Sequence, residues 1–293
     1  MVQPRILFLA SQLPEGTVSN DNAETLPAAF RDQGWQVESA PHQAIHRQPQ
    51  GLCCHQTLLS RFDLVWSLGF GPRQGFWDRT QLLAALPRRK IINAPTGMAL
   101  LHGKAAWPDL GSESHIANDP ETLIFVLTNE PGEWVLKPLA GSFGQGVMRV
   151  TAEDADALES AMAARPGDYF MLQRFLPAIA DGEIRTLLVG GQIIGSYLRV
   201  PSNRLHANLA RHGSAHPATL NQRQADLVTR IAADLLAQDM GFAAVDLVGD
   251  TLMEVNVANP GGLGTMNELY GKDFGQAVVE AAWAFSQSLN PQP

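Results

Sequence analysis

Residues 243–262 (AAVDLVGDTLMEVNVANPGG) constrain the chain more than any other stretch. Two short apolar runs flank a Gly249-Asp250 turn, and an Asn-Pro-Gly-Gly loop follows, a pattern that predicts a β-hairpin ending in a loop. Three polar residues interrupt the apolar runs: Asp246, Glu254 and Asn256. Glu254 and Asn256 are two apart, so one strand face carries both. A two-residue turn places Asp246 opposite Met253, on the other face. A three-residue turn, or a bulge, places it opposite Glu254. All three side chains offer hard oxygen atoms of the kind Mg²⁺ takes when it also holds phosphate. The same pattern also describes polar residues on an ordinary sheet surface, and the hairpin alone leaves both readings open.

Size and charge narrow the classes. A chain of 293 residues holds two or three lobes and a substantial core. Asp and Glu number 29 against 21 Lys and Arg, a formal net charge of −8, which argues against a general nucleic-acid binder. A few clustered cations still suffice for a nucleotide cleft. The two cysteines, Cys53 and Cys54, are adjacent, so no disulfide framework exists and a reducing cytoplasm is expected. The N-terminal apolar run is too short for a signal peptide, and no run reaches membrane-spanning length.

Strand and helix patterns alternate through the first hundred residues: strands near 5–10, 35–38, 62–68 and 90–93, helices near 23–33 and 77–86. That order predicts an open, mostly parallel α/β lobe. Residues 46–55 hold His46, Cys53, Cys54 and His55 in a spacing that fits no common zinc pattern, and are expected to form a loop. Lys104 falls in a candidate helix over 100–107. Residues 134–150 read as two strands around a loop with Gly141, Gly144 and Gly146, and Lys137 ends the first strand. Such a loop can lay backbone N–H groups on phosphate oxygens, but it is neither a Walker A loop nor a Rossmann fingerprint. A flexible hairpin tip has the same composition. A second hairpin, around Gly190-Gly191, carries Arg185 and Arg199 near its ends. Both arginines face one cleft only if its register contains a bulge or a longer turn. Residues 201–220 are polar, with His206, His212 and His216, and are long enough to suggest a binding loop. Amphipathic helices follow at 221–238 and 274–289.

In this order the pieces resemble the ATP-grasp ligases, and among them the bacterial glutathione synthetases. The likeness rests on Lys104, the 134–150 hairpin, the run 169–185 (YFMLQRFLPAIADGEIR), Arg199-Val-Pro201, Asn208-Leu-Ala210 and the 245–256 hairpin. It implies an ATP-grasp fold behind an N-terminal open α/β (pre-ATP-grasp) lobe, divided as 1–95, 96–170 and 171–293. It also implies that Lys104 and Lys137 hold ATP phosphates under a lid formed by Gly141, Ser142, Gly144 and Gly146. Gln173, Arg174, Phe175 and Leu176 would line the adenine through their backbone, and Glu183 would meet the ribose. Asp246, Glu254 and Asn256 would hold Mg²⁺. Arg185 and Arg199 would be the catalytic arginines, and Asn208, Asn259, Pro260 and Gly261 would touch substrate. The implied reaction joins γ-glutamylcysteine to glycine through an acyl phosphate, in a cytoplasmic homo-oligomer without nucleic-acid or membrane partners. Departures from the pattern lie at His206, His212 and Ser214, at the Ala-Asn-Pro-Gly-Gly run after the metal set, and at 67–73, which lacks a charged Arg-Lys-Asp run. They leave room for another carboxylate–amine pair.

Overall fold

A computed structural model describes residues 3–10, 21–139, 146–201 and 213–289. Gly141, Ser142, Gly144, His206, Asn208 and His212 lie outside the described residues.

The first lobe starts with β1 (Arg5–Ala10), α1 (Asn22–Asp32) and β2 (Gln36–Pro41). Three short strands follow, β3 (Ile45–Gln48), β4 (Gly51–Cys54) and β5 (Thr57–Leu58). They pair as a small antiparallel sheet, so the segment expected as a loop is folded, and its cysteines are buried strand residues with free thiols. Leu52 and Cys54 point into an apolar cluster with Leu59 and Phe62, and that burial accounts for the order. The lobe continues with β6 (Leu64–Leu68), α2 (Phe76–Ala84), β7 (Ile91–Ile92) and α3 (Pro95–Leu101). Its main sheet runs β2-β1-β6-β7, all parallel, as the alternating sequence predicts.

The second lobe contains β8 (Ser114–Ala117), α4 (Pro120–Asn129), β9 (Trp134–Pro138), β10 (Met148–Val150), α5 (Ala155–Ala163) and β11 (Phe170–Arg174). Asp119 caps α4 by accepting from the Thr122 N–H at 2.9 Å. The sheet, in order β10-β9-β11-β8, is antiparallel and has a core of its own, with Trp134, Leu136, Phe170 and Leu172 under both helices.

The third lobe is built from β12 (Glu183–Val189), β13 (Gln192–Val200), β14 (Ser214–Pro217), α6 (Gln222–Leu236), β15 (Phe242–Val248), β16 (Thr251–Asn256), α7 (Leu263–Tyr270) and α8 (Gly275–Ser288). The five strands pair in the order β14-β13-β12-β15-β16. One sheet face rests on α6, whose Val228, Ile231 and Leu235 meet Val245, Leu247 and Val255. The other face joins the first lobe in one core, where Leu187, Val189, Phe242 and Ala244 pack with Phe8, Trp66 and Phe285. Asn93 also ties the two lobes. It donates to Phe242 O at 2.7 Å and Val257 O at 2.9 Å and accepts from the Phe242 N–H at 2.7 Å.

Candidate active site

The third sheet makes half of the site by alternation along its strands. On β12 the face that carries Leu187 and Val189 into the core also carries Glu183 and Arg185. On β15 the face of Phe242 and Ala244 also carries Asp246. One surface therefore runs from core to charge. Both register questions left by the sequence resolve through bulges. The Gly190-Gly191 turn has two residues, both with positive φ, and β12–β13 pairing shifts at Leu187/Leu188. Arg199 thereby pairs with Glu183 and faces the same cleft as Arg185. The Gly249-Asp250 turn likewise has two residues, and the register shift after Asp246 sets Asp246 directly across from Glu254.

Asp246 is 1% exposed. Its Oδ1 accepts from Arg185 Nε at 2.8 Å, and its Oδ2 accepts from Arg185 at 2.7 Å and from Arg199 at 2.8 Å. Burial alone would push the Asp246 carboxyl up; the two guanidinium groups hold it below the usual range instead. Glu183 accepts from the same terminal nitrogen of Arg199. Burial raises the Glu183 carboxyl to about 7, against the pull of Arg199, and the negative Asp246 adds to the rise. Arg185 also donates to Gly261 O at 3.4 Å. Glu183, expected at a ribose, is in this structure the partner of an arginine.

The second lobe supplies the opposite wall. On β9 and β11, Trp134, Leu136, Phe170 and Leu172 face the helices, so Lys137, Met171 and Gln173 face the cleft. Lys137 is 8% exposed and donates to Gln173 Oε1 at 2.7 Å. Gln173 in turn donates to Ser114 Oγ at 2.9 Å. No carboxylate among the described residues lies within ion-pair distance of Lys137. Burial lowers its ammonium to about 8, with Glu254 and Glu183 pulling the other way. The same alternation turns Arg174 outward: it lies over the Trp134 ring at 3.7 Å and pairs with Glu113 and Glu130. The Phe175 ring lies under Arg149, and the Arg174 and Phe175 N–H groups donate to Glu113 O and Glu133 O. Gly146 sits at the hairpin beside Pro138, with φ +72°.

Lys104 does not lie on the predicted helix. The helix α3 stops at Leu101, and Lys104 opens a 3₁₀ turn, Lys104–Ala106, that brings its Nζ to 3.7 Å from Glu254 Oε1. Lys104, Trp107, Ser114, Gln173 and Glu254 line one cleft between the second and third lobes. Glu254 is exposed there, and Asn256 Oδ1 accepts from the Ala258 N–H at 3.2 Å. Asn259 and Pro260 turn toward the first lobe, where Asn22 Nδ2 donates to Asn259 Oδ1 at 2.7 Å and Pro260 O at 2.9 Å.

Lys104 and Glu254 thus line one cleft, Lys137 is tied to it through Gln173, and Arg185 and Arg199 meet on Asp246 across the hairpin from Glu254, an arrangement suited to a polyphosphate and a divalent cation. Residues 103–271 match the family described as "Prokaryotic glutathione synthetase, ATP-grasp domain". The chain belongs to this family of ATP-grasp ligases.

Relatives in the family include glutathione synthetases from Prochlorococcus marinus subsp. pastoris and from Parasynechococcus marenigrum. The first is 28% identical over 232 residues, 76% of this chain and 75% of the relative. The second is 30% identical over 236 residues, with the same coverage of 76% and 75%. The fold is shared with the ATP-grasp ligase PsnB complexed with minimal precursor, Mg and ADP, at TM-score 0.68 and 17% identity over 96% of this chain and 98% of that one. As an ATP-grasp ligase the protein uses ATP. No helix among the described residues is long and apolar enough to cross a membrane.

Sequence reasoning passed over several residues that border the ligase cleft. Tyr197 lies across the pair from Arg185, two residues before Arg199, so strand periodicity could have found it. A Cβ on Gly262 would stand 3.2 Å from the Tyr197 hydroxyl. Trp107, whose indole N–H is buried without a partner among the described residues, carries no local signal, and neither does Asn22, which the fold brings to Asn259 and Pro260.

Proposed function

We propose that the protein joins γ-glutamylcysteine to glycine, converting ATP to ADP and phosphate. The observation that carries this reading is the buried Lys137 ammonium, which has no carboxylate partner among the described residues and donates to Gln173 in the cleft that Lys104 and Glu254 line. A buried cation without a counter-charge is costly, and a bound phosphate would supply one. Glu254 and Asn256, with Asp246 behind them, offer hard oxygen atoms that fit Mg²⁺. When bound, Mg²⁺ would neutralise phosphate charge. In the proposed reaction a carboxylate oxygen attacks the γ-phosphorus and the bond to ADP breaks, giving an acyl phosphate. The amine then attacks the acyl carbon and phosphate leaves. Lys104 and Lys137 hold the phosphates in line. Arg185 and Arg199 face the charge that develops during transfer, and positioning of this kind is most of the catalysis such a step needs. The adenine edge falls to the linker after β11, where the Leu176 N–H has no partner among the described residues. Closing of the second lobe, 96–170, excludes water from the acyl phosphate.

A second pairing of acid and amine is favoured by one observation. In the first lobe, Ser67 and the Phe70 carbonyl are engaged within the lobe itself. Ser67 donates to Gly69 O at 3.1 Å and Arg79 donates to Phe70 O at 3.1 Å, so no charged run meets the substrate there. An ADP-release screen of γ-glutamylcysteine plus glycine beside other acid–amine pairs decides between the two. Turnover with the first pair, abolished by Glu254→Gln, is the expected result. Turnover with a different pair alone moves the substrate, and none with any pair refutes the ligase reading.

A further inference from the structure

Three strands of the second lobe set Ser114, Gln173 and Lys137 in one row. Gln173 on β11 lies directly across from Ser114 on β8. On its other side it lies across from Val135 on β9, two residues before Lys137. Residues two apart share a strand face, so Lys137 is the diagonal neighbour of Gln173 on that face. An ammonium only donates, and this fixes the direction of every bond in the row. Lys137 Nζ donates to Gln173 Oε1 at 2.7 Å, and the Gln173 NH₂ group donates to Ser114 Oγ at 2.9 Å. The Ser114 hydroxyl then donates to Ser112 O at 2.7 Å, and the Ser112 hydroxyl to Arg174 O at 3.2 Å. The row is therefore anchored before β8 and at the end of β11. Gln173 is 6% exposed, so little water competes for its amide.

We infer that Gln173 acts through its side chain as a positioning residue for Lys137: the amide holds the ammonium in place for a phosphate without neutralising it. This rests on the reading of Lys137 as a phosphate-holding group and deepens it. An ammonium has three N–H donors, and Gln173 takes one. A carboxylate at this position would make the same contact as a closed ion pair, and its charge would repel the phosphate. A hydrocarbon there would leave the ammonium no acceptor and its flexible four-carbon stem no fixed direction. The amide avoids both. It is also kept from turning over, because Ser114 uses its own proton on Ser112 and has only its oxygen left for Gln173. The other charges near Lys137 are Glu254 and Glu183, which favour the ammonium, and Lys104, which opposes it.

Calorimetric titration of the whole protein with ADP and Mg²⁺ tests this in a double-mutant cycle. Gln173→Met keeps the length of the side chain and removes both polar ends. At pH 7 the ADP affinity should fall about tenfold, the size of one hydrogen bond to a charged group. In a Lys137→Met background the same change should alter the affinity less than about twofold, because no ammonium remains to be held. Equal losses in the two backgrounds show that Gln173 acts through packing and overturn the inference. A loss in Lys137→Met with none in Gln173→Met overturns it alone. If Lys137→Met itself binds ADP as the wild type does, the phosphate reading of Lys137 fails, and the inference with it. Gln173→Glu gives an independent readout. Its carboxylate should keep Lys137 charged beyond pH 9, so the fall in ADP affinity expected of the wild type between pH 7 and pH 9 should disappear. A profile that still falls as the wild-type one does counts against the role. Should Gln173→Met not fold, the Gln173→Glu profile decides.

Discussion

The replacement Glu183→Gln should stabilise the protein and impair it at once. Glu183 opens β12, the middle strand of the third sheet, where it pairs with Arg199 and its side chain is 14% exposed. Burial lifts its carboxyl from 4.5 to about 7 even with Arg199 beside it. The unfolded chain ionises near 4.5, so below that pH both states carry the proton and the residue costs nothing. As the pH rises from 4.5 to about 7 the unfolded chain gives up its proton first, and stability falls. At about 1.4 kcal/mol per pH unit, the loss levels off at about 3 kcal/mol above pH 7. Glutamine keeps a carbonyl oxygen for Arg199 and cannot ionise. The variant should therefore match the wild type in urea denaturation at pH 4.5 and exceed it by about 3 kcal/mol at pH 8. With a urea slope of about 3 kcal/mol per molar, the midpoint moves up by about 1 M. Ligase activity should fall at pH 8, where wild-type Glu183 is ionised and its replacement takes a charged partner from Arg199. A variant no more stable than wild type at pH 8, or equally stabilised at both pH values, would refute the reasoning. A functional cleft that stores such a cost is expected where charge is held ready for a ligand.

Three further outcomes follow from the same structure. Because burial depresses the Lys137 ammonium to about 8, ATP affinity should weaken roughly tenfold between pH 7 and pH 9, and Lys137→Arg should remove the dependence; a flat calorimetric profile for the wild type over that interval contradicts the phosphate role. Asn93→Ala leaves three buried backbone groups of the third lobe unpaired and should cost about 3 kcal/mol or more, read from the urea midpoint; a loss below about 1 kcal/mol would mean that water replaces the side chain. Trp66→Ala removes a side chain with 0% exposure that contacts the rings of Phe8, Phe30 and Phe242, and about 3–5 kcal/mol should be lost, measured the same way.

Much of this protein can be worked out from the chain alone, and for a stated reason. Strand alternation has a period of two, so polar residues set at even spacing in apolar runs mark a functional face before any fold is known. Glu254 with Asn256, and Lys137 opposite the helix-facing Leu136, are cases of it. The parallel first lobe was likewise visible in its strand–helix order. Residues 46–55 were not, because their order comes from burying Leu52 and Cys54 against Leu59 and Phe62, a long-range contact with no local pattern.

Periodicity determines which residues share a strand face, but not which strands meet or in what register. The two bulges, after Leu187 and after Asp246, decided that Arg185, Arg199, Asp246 and Glu254 share one cleft. A one-residue slip in either hairpin would have turned part of the set away. The outward turn of Arg174 and the 3₁₀ turn under Lys104 were settled by packing on Trp134 and by the end of α3. Above all, the tertiary structure decided that Asp246, whose residue type and spacing match a metal ligand, is enclosed by two arginines. Burial and partners are properties of the folded sheet, and they are what assign a carboxylate its charge and its role.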